Sequence, residues 1–427
     1  AQVSSSDQRV EGVHGTPIPM VAETMSRLEK PVAGLTAVMK WLAAQPYIAG
    51  VLAYILALPQ VKMIASELLG REDGVISPHE LLSALLVVLS AWLFILSCIT
   101  KARLALWGFW YFLASGDKKT EKPKDEHFNY KGCKRRTVIF IRHGESEWNQ
   151  IFNKGNPLFR PLKLIRGLIK EAFLLFDQES LFMDSPLSSV GIQQAWDLLT
   201  FLASQPEGCQ EGRAPDQPVK ELEVADIVSI IRGDVGKSLV VSSILRRAIS
   251  TGILGLSTRL LKTEPSDKIA VMTCLQEISR NVDTLALTPA RSPPQVPAGE
   301  AAMKHMGDLV SFFYRKRLNY DHNKGNKTLE LKAKDRQQEF THWLHKQDKL
   351  DAIIVCGHSF YFREFFRSYL PKASKHQAKT LKMANCGCVA FDLYMSSPTK
   401  IQIDEQSIKP VYLGFEEKGK KKKDKVH

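Results

Sequence analysis

VIFIRHGESEWN, Val138 to Asn149, is the stretch on which the reading of this chain turns. Val138–Ile141 is a short apolar run of the kind that forms a buried strand, and it leads directly into Arg142, His143 and Gly144. A strand can end in polar residues for no chemical reason. It is also a rigid platform for a neutral imidazole, with a cation beside it to hold an anion. The rest of the chain has to choose between these two readings.

From Arg135 onward the pattern is that of a soluble α/β domain. Apolar, β-branched runs recur as TVIFI, SLVVSS, IAVMT, DAIIVCG and CVAFDLY. Helical patterns separate them at Ser188–Ser204, Leu245–Leu261, Lys332–Lys346 and Ser359–Leu370. Strands alternating with helices predict a three-layer α/β/α sandwich around a mostly parallel sheet covered on both faces. Three strand ends then carry residues suited to phosphate. Val138–Ile141 ends in Arg142 and His143, Leu239–Ser243 leads to Arg246 and Arg247 at a helix start, and Ile353–Val355 leads to Gly357 and His358 at another. Ligands of open α/β sheets bind at the carboxyl ends of the strands, where helix N-termini also attract anions.

RHGESEWN, SSILRRAIST and CGHS, in that order, resemble the histidine phosphatase superfamily, which includes the phosphoglycerate mutases and acid-phosphatase-like enzymes. DSPLSSVGIQQA, from Asp184, resembles that family's D-x-P-L-S-x-x-G-x-x-Q-A segment. The resemblance runs from about Arg135 to Asp392. It implies that His143 attacks phosphorus and forms a phosphohistidine, its other nitrogen oriented by an acceptor such as a backbone carbonyl. Arg142, Arg247 and His358 would bind the phosphoryl oxygens, with Asn149 as a neutral donor. Glu277, in CLQEISRN after the Ile269–Thr273 run, would protonate the leaving alkoxide; a first-turn helix glutamate is the plainer alternative. No metal or cofactor is implied. ISRNVDT after Glu277 does not look like the mutase sequence, and the mutase loop past the catalytic Asn is absent, which favours a phosphatase. LTPARSPPQVPAG then reads as a loop near the acid.

An insertion before Ser188 holds PLKLIRGLIKEAFLLF, which sets Leu164, Ile165, Leu168, Ile169, Ala172, Phe173 and Phe176 on one helical stripe with Lys163, Arg166 and Lys170 opposite. A helix packed by its apolar stripe on the domain is the first expectation. A basic amphipathic helix on a membrane surface is the second.

The N-terminal part differs in character. Leu81–Thr100 is uncharged between Glu80 and Lys101, the length a helix needs to cross a bilayer, and is read as a membrane span. Trp41–Val61 is also uncharged but contains Pro46, Gly50 and Pro59, so a second span, a re-entrant segment and an interfacial helix all fit. With two spans, Arg27, Lys30, Lys40, Lys101, Arg103, Lys118 and Lys119 on the outer flanks place both flanks on the cytoplasmic-type side. The aromatic-rich LALWGFWYFLASG suits the headgroup region. The expected organisation is an N-terminal tail (1–40), an anchor (41–115), a linker (116–134), the catalytic domain (135–410) and a Lys-rich tail (411–427). Nothing before Lys40 reads as a secretory signal, and a removed transit peptide is compatible with the start at Ala1.

The 427 residues carry 58 Lys and Arg against 45 Asp and Glu, a formal charge of +13. Such a charge points to anionic substrates, anionic lipid or nucleic acid, and no aromatic-basic module supports the last. Six lysines lie between Lys418 and Lys425. That tail suits anionic lipid, and Lys423 and Lys425 also match a dilysine retrieval spacing that a lysine-rich end gives by chance. Seven scattered cysteines suggest a reducing compartment, and Cys386-x-Cys388 reads as two strand cysteines rather than a metal site. The expectation is an intracellular membrane, endoplasmic reticulum or mitochondrion. The leading function is a membrane-anchored phosphatase for a phosphoprotein or small phosphomonoester. The alternative is a structural subunit of a membrane complex that keeps a phosphatase-like domain.

Overall fold

The structure, a computed structural model, describes residues 78–117, 128–152, 156–174, 179–208, 217–304 and 306–416. The chain divides into two units, Ala1–Leu93 and Phe94–His427. The candidate span at 41–61, Phe176 of the insertion, and most of the expected linker and of the Lys-rich tail lie outside the described residues.

The second unit is built on an eight-stranded sheet of β1 (Lys134–Arg142), β2 (Ser238–Ser243), β3 (Ile269–Met272), β4 (Leu318–Asn319), β5 (Ala352–Gly357), β6 (Cys388–Met395), β7 (Ile401–Ile403) and β8 (Lys409–Tyr412). The order is β4-β3-β2-β5-β1-β6-β7, with β8 also paired to β6. The pairs from β4 through β1 are parallel; those made by β6, with β1, β7 and β8, are antiparallel.

The period-two alternation of β1 sorts its side chains between two cores. Ile139 and Ile141 face a layer that includes Leu198, Ile227, Ile249 and Phe313; Val138 and Phe140 face one with Phe340, Phe362 and Phe365. The first layer therefore takes the helices Ser189–Ser204, Val224–Arg232, Arg246–Gly255 and Gly307–Lys316. The second takes Ala333–His345 and Ser359–Tyr369. Strand progress runs outward from β2 to β4 and then returns to β5. Right-handed crossovers put helices on opposite faces when that direction reverses. Across the reversal the carboxyl ends line up, with Arg142 opposite Gly357, Ser242 opposite Cys356 and Ser243 opposite Met272.

Sheet and fold continue past residue 410. Val411 is buried, Phe415 packs against Phe366, and Glu416 pairs with Arg142. Of the two neighbouring cysteines only Cys388 is in a strand; Cys386 lies in the preceding turn at φ 56.

Two segments far apart in sequence are laced together beside β1. Glu147 N–H donates to Pro186 O, Ser188 N–H to Glu145 O, and Glu145 N–H to Gln194 Oε1. Ser188 caps its helix by accepting from Gly191 N–H. The approach is so close that a Cβ on Gly191 would sit 2.0 Å from Glu145 O, and one on Gly144 would sit 2.6 Å from Gly191 O. The glycines of the RHG and PLSSVG stretches thus permit one backbone contact.

The apolar stretch forms a helix longer than expected, Pro78–Ala114. By length and composition it could cross a membrane over Val88–Ala114, because the apolar pattern resumes beyond Lys101 and Arg103. Trp92, Leu96, Phe109 and Trp110 are exposed, but Tyr111, expected at headgroup depth, is buried. The insertion helix Arg160–Phe173 departs from the first expectation: Gly167 is its one buried residue, while Leu162, Ile165, Leu168 and Phe173 point outward.

Gly191→Ala is expected to cost about 2 kcal/mol or more, since the carbonyl it meets belongs to packed backbone. Gly299→Ala, whose Cβ meets open space, should leave stability unchanged. Thermal unfolding of the two variants in detergent checks this.

Candidate active site

His143 follows β1 and is buried. Its backbone N–H donates to Gly357 O at 2.9 Å, which ties the end of β1 to the end of β5. The ring Nδ1 lies 2.5 Å from Gly144 O. A carbonyl can only accept, so the proton sits on Nδ1 and Nε2 keeps its lone pair. Burial, then Arg247, then Arg142 push the His143 pKa well below the ordinary imidazole value, against the pull of the Gly144 carbonyl. The ring is held neutral.

The His358 ring lies 5.0 Å from that of His143, centroid to centroid. Its Nε2 is 2.8 Å from Ser243 Oγ at the end of β2, and its Nδ1 has no hydrogen-bond partner among the described residues. Burial first, then Arg247 and His143, also keep this imidazole neutral.

Arg247 is buried at the start of its helix. Nη1 donates to Asp283 O at 2.7 Å, Nη2 lies 3.3 Å from Asp283 Oδ2, and Nε is without a hydrogen-bond partner among the described residues. Thr251, one turn on, accepts from Gly144 N–H at 3.0 Å, so this helix is fastened to the RHG stretch. The neighbouring Arg246 turns away, pairing with Asp184 and Glu179 and donating to Ser180 O. Of the two arginines the sequence offered, Arg247 joins the histidines and Arg246 braces the Asp184 segment.

Arg142 donates through Nη1 to Met383 O and to Glu416 Oε1, the latter at 2.6 Å, while its buried Nε has no hydrogen-bond partner among the described residues. Asn149 sits half-buried on the short helix Glu147–Phe152, its backbone N–H donating to Ser146 Oγ at 3.3 Å.

Glu277 lies after a helical turn following β3, in no helix of its own. Its carboxylate instead accepts from Tyr361 N–H at 2.9 Å and Phe360 N–H at 3.4 Å, the first turn of the Ser359–Tyr369 helix, and from Ile278 N–H at 3.0 Å. It caps that helix in place of His358, whose ring is engaged with Ser243. Burial raises the Glu277 pKa above the ordinary carboxylate value, with Arg247 and the backbone donors opposing. His143, Arg142, Arg247, His358 and Glu277 thus form one buried electrostatic neighbourhood. Among the described residues no three His, Cys, Asp or Glu side chains group as metal ligands would.

The sequence reading passed over three residues here, Ser243, Asp283 and Asp117. Ser243 and Asp283 had only their place beside a strand end and beside Glu277 as signals. Asp117 opens the Lys-rich stretch read as linker, yet it is fully buried. It pairs with Lys327 Nζ at 2.8 Å and Arg336 Nη2 at 2.7 Å, and accepts from Tyr111 Oη at 3.3 Å. Lys327 also donates to the carbonyls of Glu277 and Ser279, and Arg336 to that of Gln276. The backbone around Glu277 therefore hangs on a buried ion cluster. Despite burial, Arg336 and then Lys327 hold the Asp117 carboxyl below its ordinary range, while burial pushes Lys327 down to about 8.

No protein-family model and no curated protein sequence matches the chain. Solved structures do. A putative α-ribazole-5′-P phosphatase from Escherichia coli is 17% identical, covering 65% of this chain and 96% of its own, with a TM-score of 0.30. A mycobacterial glucosyl-3-phosphoglycerate phosphatase is 14% identical over 65% of this chain and 99% of its own, with a TM-score of 0.30. Phosphoserine phosphatase from Entamoeba histolytica, in complex with 3-phosphoglyceric acid, is 14% identical over 60% and 90%, with a TM-score of 0.28.

Asp117→Ala leaves two buried cations without their carboxylate and is expected to cost about 3–5 kcal/mol. Asp348→Ala, which removes a surface partner of Lys134 and Arg136, should leave the unfolding midpoint unchanged. Unfolding of the full chain followed by circular dichroism distinguishes them.

Proposed function

We propose that this chain is a membrane-anchored phosphatase that hydrolyses a phosphomonoester through a phosphohistidine on His143. The observation that carries it is the fixed tautomer: Nδ1 is spent on the Gly144 carbonyl, and burial beside two arginines keeps Nε2 unprotonated. Nε2 attacks phosphorus, an N–P bond forms, and the P–O bond to the alcohol breaks. Glu277, whose burial favours the protonated form, gives its proton to the leaving oxygen. A water then attacks the phosphohistidine, a P–O bond forms as the N–P bond breaks and its electron pair returns to Nε2, Glu277 takes the water's proton, and phosphate leaves. Arg142, Arg247, His358 and Asn149 supply donors for the phosphoryl oxygens, worth most in a buried site where charge is not screened by water. Substrate is a phosphorylated protein or small molecule. The helix Pro78–Ala114 serves as anchor in an intracellular membrane, with the catalytic domain on the cytoplasmic-type side.

The second reading, a structural subunit of a membrane complex, draws support from the occupied guanidinium forks. Asp283 takes both Nη atoms of Arg247, and Glu416 with Met383 takes Nη1 of Arg142.

Turnover requires neutral His143 and protonated Glu277. The rate therefore rises with pH through a His143 pKa below 6.5 and falls with pH through a Glu277 pKa above 4.5. Assay of the full chain in detergent against an aryl phosphate should give this bell. His143→Ala should abolish turnover. Glu277→Gln should cut kcat by about 10²–10⁴-fold and remove the alkaline limb. Folded protein that binds phosphate yet turns over no aryl phosphate, phosphopeptide or sugar phosphate would favour the structural reading. The full chain is needed because a start after Asp117 strips Lys327 and Arg336 of their carboxylate.

A further inference from the structure

The helix Arg160–Phe173 sits on the domain with its polar side inward. Gly167 is buried so closely that a Cβ there would lie 3.0 Å from Ile151 and 3.2 Å from the Phe182 ring. On the same side Lys163 Nζ donates to Gln150 O at 3.3 Å, Glu171 Oε2 accepts from Leu181 N–H at 2.7 Å, and Lys170 lies 3.9 Å from Glu147. The outward stripe is apolar. Leu162 is 64% exposed, Ile165, Leu168 and Ile169 are each 54% exposed, and Phe173 is 80% exposed. An amphipathic helix normally turns such a stripe to the core, and a contiguous apolar face left outside marks a surface that something else covers.

The position of the helix says what that is. At its C-terminal end Lys101 Nζ donates to the Leu174 carbonyl and lies 3.9 Å from Glu171 Oε1. Of the stretch Val88–Ala114 that is long and apolar enough to cross a membrane, only the part up to Thr100 is uncharged; taking the uncharged run Leu81–Thr100 as the part in hydrocarbon puts Lys101, the first charge after it, at headgroup depth. The amphipathic helix is fastened to the long apolar helix at that level. Arg160 and Lys170 on the polar side and Arg166 at its flank are all exposed, cations that match anionic headgroups.

We infer that Arg160–Phe173 lies in the interface of an anionic bilayer, its apolar stripe among the acyl chains and its cations on the headgroups. This rests on reading Pro78–Ala114 as the membrane anchor. Through Gly167 and Ile151 the interfacial helix backs onto Glu147–Phe152, the helix that carries Asn149 just after His143. The interfacial helix is thereby packed on the segment that follows His143.

The test is photolabelling of the full chain in phosphatidylcholine–phosphatidylserine vesicles, with a phospholipid carrying a diazirine in its acyl chain and mass-spectrometric mapping. Label is expected on Leu162–Phe173 as well as on the Val88–Thr100 part of the anchor. Ile165→Asp with Ile169→Asp should lose the first and keep the second. Label on the anchor alone overturns the inference and leaves the anchor standing; label on neither overturns both. Labelling of Leu162–Phe173 should weaken when phosphatidylserine is omitted, and equal labelling overturns the anionic preference. Hydroxyl-radical footprinting should find the stripe protected in vesicles. Protection without lipid label means that a protein covers the stripe, which also overturns the inference. None of these readouts depends on turnover, so a failure of the phosphatase reading shows separately, in the aryl phosphate assay.

Discussion

The close backbone contact between Gly144 and Gly191 is the constraint on which the site depends. With any side chain at either position the RHG stretch and the PLSSVG stretch move apart. Glu145, Ser146 and Glu147 then lose their backbone partners, and the carbonyl that orients His143 is no longer fixed. The same contact seats the Ser189–Ser204 helix against the Arg246–Gly255 helix, which brings Arg247 to the histidines and Thr251 to Gly144. A two-glycine contact thus sets the position of the imidazole and of the cation beside it.

Around that contact the domain concentrates buried charge in two places with different purposes. Among the described residues the histidine–arginine group has nitrogens without a hydrogen-bond partner on Arg142, Arg247 and His358, which is where an anion would be welcomed. The cluster of Asp117, Lys327 and Arg336 is closed by its own ion pairs and hydrogen bonds to backbone carbonyls. Buried ion pairs add little net stability but are costly to break, so this cluster acts as a clasp. It holds the turn bearing Glu277 to the end of the apolar helix. Placement of Glu277 and of the end of the long apolar helix is one structural problem with one solution.

The apolar surfaces divide in the same way. The two cores of the sheet absorb the β-branched strands and the aromatic side chains of Ser359–Tyr369, with Phe140 stacked on Phe362 at 4.0 Å. What remains outside is concentrated on the long apolar helix and on the reversed helix fastened to it at Lys101.

Much of this was legible in the sequence by itself. Runs of β-branched residues located β1, β2, β3, β5 and β6, and helical periods located Ser189–Ser204, Ala333–His345 and Ser359–Tyr369, because both periodicities are local properties of the chain. The strand-end motifs carried His143 and His358, whose rings the fold brings to 5.0 Å from each other beside Arg247. The two-residue β4 and the strands β7 and β8 were not legible: short antiparallel and edge strands take their register from neighbours rather than from a pattern of their own. Only tertiary structure separated Arg247 from the adjacent Arg246, made Glu277 a cap for a helix some 80 residues away, buried the supposed linker residue Asp117, and turned the Arg160–Phe173 stripe outward. Each of these depends on which group arrives from elsewhere to satisfy a charge, a backbone N–H or an apolar face. That is a property of the folded whole, and local sequence carries no record of it.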